Sequence, residues 1–176
     1  MFERIKRLFL LIFYPHFLAG LKAEEAFAKQ AWENSWIVER IPQDRASFEK
    51  YKLGNKFVKR GDYICRNCNN AEIEVKCKKQ YGANDNKYYL LEYRQIKRHR
   101  EMQAITNANV IFAFYQRNGA DFLQNTLRMV DLDFLRRTKD YKSGKLYDKR
   151  TKCIRVPLKY TRPNFEVLEL FRLIYY

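Results

Sequence analysis

The sequence predicts an α/β domain around a small mixed sheet. Three observations carry this. The coarse element order runs helix, strand, strand, strand, helix, strand, then additions; Glu72 to Lys78 alternates apolar and charged residues without a break; and Val110 to Tyr115 is an apolar run fit for a buried strand. A chain of 176 residues, 47% of them hydrophobic, suits one domain over residues 1–176 with a real core, and disorder throughout is excluded.

The first element is a helix. Arg4, Lys6 and Arg7 precede an apolar run from Leu8 to Tyr14, which has the outline of a signal peptide. The run is short, Pro15 and His16 interrupt it, and no small-x-small cleavage site follows. The pattern therefore predicts a helix over residues 2–14, with Phe2, Ile5, Phe9 and Ile12 on one face. It is far too short to span a bilayer, so no stable membrane insertion is expected. Its apolar face can dock on the domain or on a second copy of the chain as a homodimer; a basic membrane-surface helix is the lesser alternative.

Pro15 can open a second helix, from about His16 to Asn34, because proline is tolerated in a first helical turn. Two stripes share it. Leu18, Leu21, Glu25, Ala28 and Trp32 form one; Phe17, Leu21, Glu24, Phe27 and Ala31 form the other. Each sets one carboxylate among apolar neighbours at helical spacing. Trp36 to Ile41 predicts a strand stopped by Pro42, and Phe48 to Phe57 is ambiguous. Gly61 marks a turn or a tight approach, Asp62 to Arg66 a short strand, and Asn67, Asn69 and Asn70 a turn.

In the alternating strand, Ile73, Val75 and Cys77 face one way, and Glu72, Glu74, Lys76 and Lys78 the other. A loop at Gly82 to Asn86 precedes a helix from about Glu92 to Thr106. The additions beyond Val110 to Tyr115 begin with a strand near Leu127 to Leu132 and a basic stretch from Arg136 to Lys152 that turns as a hairpin at Ser143-Gly144. A strand from Cys153 to Leu158 follows, then a closing helix to about Ile174 with Asn164 as its cap. The basic hairpin and helix thus fill residues 127–176.

Lys and Arg number 35 against 20 Asp and Glu, a formal net charge of +15. That excess favours a polyanionic partner, since each neutralised phosphate releases condensed counterions. Cys65, Cys68, Cys77 and Cys153 are expected to be reduced, in a cytoplasmic protein, because the chain is too large to need a disulfide framework and no clear secretory context is present. Cys65-x-x-Cys68 resembles half of a zinc site, but the paired CxxC…CxxC pattern is absent, so structural zinc there is not expected.

The chemistry centres on Glu74-Val75-Lys76. Positions two apart on a strand share a face, so the carboxylate and the ammonium project together. Glu-x-Lys occurs nowhere else in the chain, and this copy falls on a strand with an apolar back face. If the Asp62 strand pairs with it as a hairpin, Asp62 comes close to Glu74. Two carboxylates brought together repel unless something positive lies between them, and a hard divalent cation does this well. Lys76 can then contact a scissile phosphate or orient a water. The bland alternative is a solvated face carrying a weak ion pair.

The ordered set of Glu24 or Glu25, Asp62 and Glu74-Val75-Lys76 resembles the PD-(D/E)XK nuclease superfamily, whose members include restriction endonucleases and archaeal-type Holliday junction resolvases. Gly20 with Glu24-Glu25 looks like the opening helix of the resolvase-like branch, Trp36 to Arg40 like its first strand, Arg60-Gly61-Asp62 like its metal-binding turn, and Ile73 to Cys77 like its motif strand. The resemblance covers about residues 17–116. It implies a restriction endonuclease-like core with a central mixed four-stranded sheet flanked by helices, and Mg²⁺- or Mn²⁺-dependent phosphodiester hydrolysis of nucleic acid, with DNA the expected substrate. By matching position, Asp62 and Glu74 become metal ligands, Lys76 the catalytic lysine, and Glu24 or Glu25 an auxiliary residue; the spacing to Trp36 favours Glu25. One departure is Gly61, where the family's name has proline.

Candidates to touch nucleic acid follow from the basic residues around this centre. Gln95, Lys97, Arg98 and His99 open the helix after the motif strand, and Lys78 and Lys79 extend the strip beside it. His99 is a poor candidate for a base, because metal-activated water needs none. In the basic stretch, Arg136, Arg137, Lys142 and Lys145 could grip the backbone, with Tyr141 and Tyr147 stacking on unpaired bases. A solvated surface explains the same pattern.

Overall fold

The computed structural model describes residues 14–42 and 59–172 in full, and the backbone alone of Lys52–Leu53 and Lys56–Phe57. The expected helix over residues 2–14, apart from Tyr14, lies outside the described residues, as do the end of the closing helix and most of the ambiguous 48–57 stretch.

Helix α1 (Pro15–Glu33) opens the described chain with Pro15 in its first turn. It buries Leu18, Ala19, Ala23, Phe27 and Ala31, a stripe that shares Phe27 and Ala31 with the second expected one and is turned further away from the first. Phe17 is 50% exposed and Trp32 79%. Three alanines on the buried face let the helix backbone approach the sheet, and that sets its rotation.

Strand β1 (Val38–Arg40) follows. A two-stranded hairpin of β2 (Lys52–Leu53) and β3 (Lys56–Phe57) precedes β4 (Tyr63–Cys65) and β5 (Ala71–Lys78). Asn69 and Asn70 turn the chain between β4 and β5 with φ of 54° and 51°, a conformation asparagine tolerates. This turn brings the Cα atoms of Cys65 and Cys68 to 5.5 Å, and a disulfide joins the two residues. The expectation of reduced thiols at these two positions is corrected. Cys77 and Cys153 are free.

The chain continues through β6 (Tyr88–Glu92), which the sequence pattern missed, α2 (Tyr93–Thr106), β7 (Val110–Asn118), β8 (Asp121–Phe122) and β9 (Arg128–Asp131). Then come α3 (Leu132–Arg137), α4 (Lys139–Lys142), β10 (Tyr147–Asp148), β11 (Cys153–Pro157), β12 (Arg162–Pro163) and α5 (Glu166–Glu169).

The main sheet runs β1-β4-β5-β7-β9-β12, with β8 on β7. Its β5–β7 pair is parallel and its other pairs are antiparallel. The mixed sheet flanked by helices is as expected, but it has seven strands and not four, because β9 and β12 continue it past β7 and β8 adds a short pairing to β7. A second sheet, β10-β11-β6, is antiparallel. Both faces of the main sheet are covered. Ile73, Val75, Ile111, Ala113 and Tyr115 pack with Phe27 of α1, while Phe112 and Phe114 pack with Ile96 and Met102 of α2. That is why Val110 to Tyr115 is buried at every residue.

Two further expectations are corrected. The hairpin turn of the basic stretch lies at residues 149–152, between β10 and β11, and not at Ser143-Gly144, because Thr138 caps α4 by accepting the Tyr141 N–H. The closing helix is a single turn within the described residues, and Asn164 does not cap it but sits at φ 48°. Asp131 caps α3, accepting the Phe134 N–H at 2.6 Å. No helix of the described residues is long and apolar enough to cross a membrane.

Candidate active site

β4 pairs with β5 only as far as Tyr63 opposite Ile73, and the chain then leaves through Asp62 and Gly61. Asp62 takes over the ladder at that point. Its N–H donates to the Ile73 carbonyl at 2.8 Å, and its Oδ2 accepts the Val75 N–H at 2.8 Å. The side chain thus replaces the backbone acceptor that a longer strand would offer. Gly61 permits the approach. A Cβ there would stand 2.9 Å from the Ile73 oxygen and 3.2 Å from Glu72 Cβ, so any side chain, proline's included, would collide.

Glu72 holds this turn from below. It is fully buried, with Arg60 Nε 2.5 Å from its Oε1 and the Gly61 N–H 2.8 Å from its Oε2. Glu74 is also fully buried, so the solvated-face alternative does not describe it. The ammonium groups of Lys59 and Lys76 both donate to Glu74 Oε1, and His99 Nε2 stands 3.5 Å from Oε2.

Asp62, Glu74 and Lys76 are thereby brought together, as the hairpin expectation required. On α1, Glu24 is the carboxylate that faces them, and the preference for Glu25 is corrected. Glu24 is partly buried, its Oε2 accepts Arg40 Nη2 at 2.8 Å, and its charge is felt at Asp62 and Lys76, whereas Glu25 is exposed. The cause is the rotation of α1, which turns residue 25 outward.

The electrostatics follow from burial. The Asp62 carboxyl is pushed up to about 7, first by burial, then by the charge on Glu74, against the pull of Lys76. Burial also acts to raise Glu74, but His99, Lys76 and Lys59 outweigh it and hold this carboxyl well below its usual range. Burial raises Glu24, with Arg40 opposing. Lys76 lies above the usual lysine range, because Glu74 and Asp62 outweigh its desolvation.

Among the described residues no group of three or more His, Cys, Asp or Glu is assembled to hold a metal ion. The Asp62–Glu74 pair nevertheless fits a hard divalent cation of the kind that takes one or two carboxylates and keeps its waters. Asp62 is raised first by burial and then by the charge on Glu74, and a cation held between the two carboxylates would offset both.

The nominated basic residues are spread more widely. Lys78 is half-buried at the end of β5, and Lys79 is exposed with its Nζ 5.6 Å from the Tyr81 ring centre. Gln95 and Arg98 are half-buried on α2, and Lys97 is exposed. Lys97, Arg100 and Arg136 line a concavity of about 570 Å³ near Asn109, which precedes β7, and Arg136 pairs with Asp133 at 2.9 Å. Arg137 and Lys142 line a neighbouring one, while Lys145 reaches Asp140 at 4.0 Å. Tyr141 packs against the α2-side core, so it is not presented for stacking, whereas Tyr147 is exposed beside Tyr93. Three features of the site escaped the sequence pattern: Lys59, the buried role of Glu72, and the contact of His99 with Glu74. The Lys59-Arg60 pair before Gly61 was the available signal; burial of Glu72 and His99 had none.

No family model and no curated protein matches the chain. Among solved structures, it is similar to Hjc, a Holliday junction resolvase from the archaeal hyperthermophile Archaeoglobus fulgidus, with a TM-score of 0.50 and 12% identity over 85% of this chain and 99% of that chain. The likeness is one of fold, a mixed sheet flanked by helices.

Proposed function

We propose that the chain is a divalent-metal-dependent DNA endonuclease of the PD-(D/E)XK type. The observation that supports this best is the meeting of Asp62, Glu74 and Lys76 where β4 leaves β5. The similarity in fold to a Holliday junction resolvase adds branched DNA as the first substrate to try. Asp62 and Glu74 would hold Mg²⁺ or Mn²⁺, and the bound ion would supply charge neutralisation and an acidified water. Lys76 places fixed positive charge beside the phosphate, where negative charge develops during attack. Lys59 adds a second ammonium at the same carboxylate oxygen. Glu24 sits behind them as an auxiliary carboxylate.

A second reading is a non-catalytic, basic nucleic-acid-binding protein on the same fold. The two ammonium groups that already neutralise Glu74 favour it. A cytoplasmic site of action belongs to the first reading; the Cys65–Cys68 disulfide weighs against it, since such bonds persist in oxidising compartments.

The test is a panel of labelled linear, forked and four-way DNA with Mg²⁺ and with Mn²⁺. Cleavage that Asp62→Ala and Lys76→Ala both abolish supports the nuclease. Salt-sensitive binding without cutting supports the second reading. Variants that cut as fast as the parent would show that the chemistry lies elsewhere.

A further inference from the structure

α2 buries Ile96, His99 and Met102 against the sheet. His99 is fully buried, and its ring meets Phe112 edge-on with centroids 5.3 Å apart. Phe112 lies opposite Glu74 in the parallel β5–β7 register, so ring and carboxylate share one patch of the sheet face. Neither imidazole nitrogen makes a hydrogen bond, and neither does Glu74 Oε2, yet Nε2 and Oε2 stand 3.5 Å apart. An imidazole sealed among hydrocarbon groups without a partner costs free energy, and so does a carboxylate oxygen. The two orphans face each other, and each is the other's remedy.

We propose that His99 is a positioning residue for Glu74: its Nε2–H faces Oε2 and holds the carboxylate in the rotamer that presents Oε1 to Lys59 and Lys76. A glutamate has three side-chain torsions, and a buried one without a donor on its second oxygen has little to select among them. The lysines grip only Oε1. His99 supplies the second point of attachment from the opposing helix, and two points fix the plane. Its consequence for metal binding rests on Glu74 being a metal-holding carboxylate, as proposed above; the contact itself does not. Partners that orient a ligating group typically carry about 10–100-fold in metal affinity.

Two measurements on the full chain test this. Nitrogen-15 spectra of the imidazoles, without metal or DNA, read the tautomer; the sequence has two histidines, and His16→Asn assigns the other. A proton on Nε2 of His99 that responds to Glu74→Gln is expected. A ring protonated on Nδ1 alone overturns the proposal, and the parent protein suffices to see it. Mn²⁺ titration followed by electron paramagnetic resonance then compares His99→Leu, which fills the space without a donor, with His99→Gln, whose amide nitrogen can stand near the place of Nε2. Weakening of about 10–100-fold in the leucine variant, largely recovered in the glutamine variant, is expected. Leucine and parent proteins with equal affinity overturn the positioning role. A parent that binds no Mn²⁺ refutes the nuclease reading instead, and the tautomer still decides the contact.

Discussion

The Asp62 carboxylate accepts the Val75 backbone N–H at 2.8 Å while carrying a proton affinity raised to about 7. The side chain that completes the sheet ladder is also one whose charge is opposed, first by burial and then by its neighbour Glu74. The conflict between structure and charge at this residue has measurable consequences.

Asp62 keeps its proton in the folded protein well above the pH at which the unfolded chain releases it, near 3.8. Between about pH 4 and pH 7 the folded state therefore binds more protons than the unfolded state, and stability falls as pH rises through that window. Asp62→Asn is expected to remove a loss on the order of 2–4 kcal/mol across it, measured as urea midpoints at several pH values without metal. An unchanged slope would place the strain elsewhere. For metal binding the sign reverses, and Mn²⁺ affinity should climb as Asp62 ionises near neutrality.

Gly61→Ala sets a methyl group 2.9 Å from the Ile73 oxygen, and the neighbours are backbone that cannot yield cheaply. A loss of about 1–3 kcal/mol is expected, together with loss of activity as Asp62 shifts. Gly20, inside α1, has nothing within 4 Å of the same construction. Gly20→Ala should stabilise by about 0.5–1 kcal/mol. Thermal denaturation of the two variants side by side separates them, and equal behaviour would contradict the close approach at Gly61.

Glu72 accepts from both Arg60 and the Gly61 N–H while fully buried. Truncation to alanine takes this acceptor from Arg60 and from the Gly61 N–H and empties a fully buried position, so Glu72→Ala is expected to cost about 1–3 kcal/mol in chemical denaturation. A cost under about 1 kcal/mol would mean that the clamp is not what holds the turn.

The cationic residues divide by place. Lys78 and Lys79 extend β5 past Lys76, whereas Arg137 and Lys142 lie in the concavity beside Asn109. Replacing either pair with alanine should flatten the salt dependence of DNA binding by about 1–2 in log–log slope. Only the Lys78/Lys79 pair should also slow cleavage at saturating DNA. Equal cleavage losses from both pairs would show that DNA crosses the sheet by another path.

The convergence of Asp62, Glu74 and Lys76 was legible in the amino-acid sequence because it rests on local rules. A period-two alternation assigns residues to faces, and asparagines announce a turn, whatever the rest of the chain does. The same locality made Val110 to Tyr115 readable as a buried strand. Strands of two residues, such as β8 and β12, have too few residues to show a period, so the sheet outgrew its expectation. Folding in three dimensions chose Glu24 over Glu25, because Ala19, Ala23 and Ala31 set the rotation of α1 against the sheet. It also turned Glu72 from a surface charge into a buried clamp and laid His99 across Glu74. Those outcomes depend on which distant segment covers a given face, and burial of that kind leaves no periodic trace in the residues it covers.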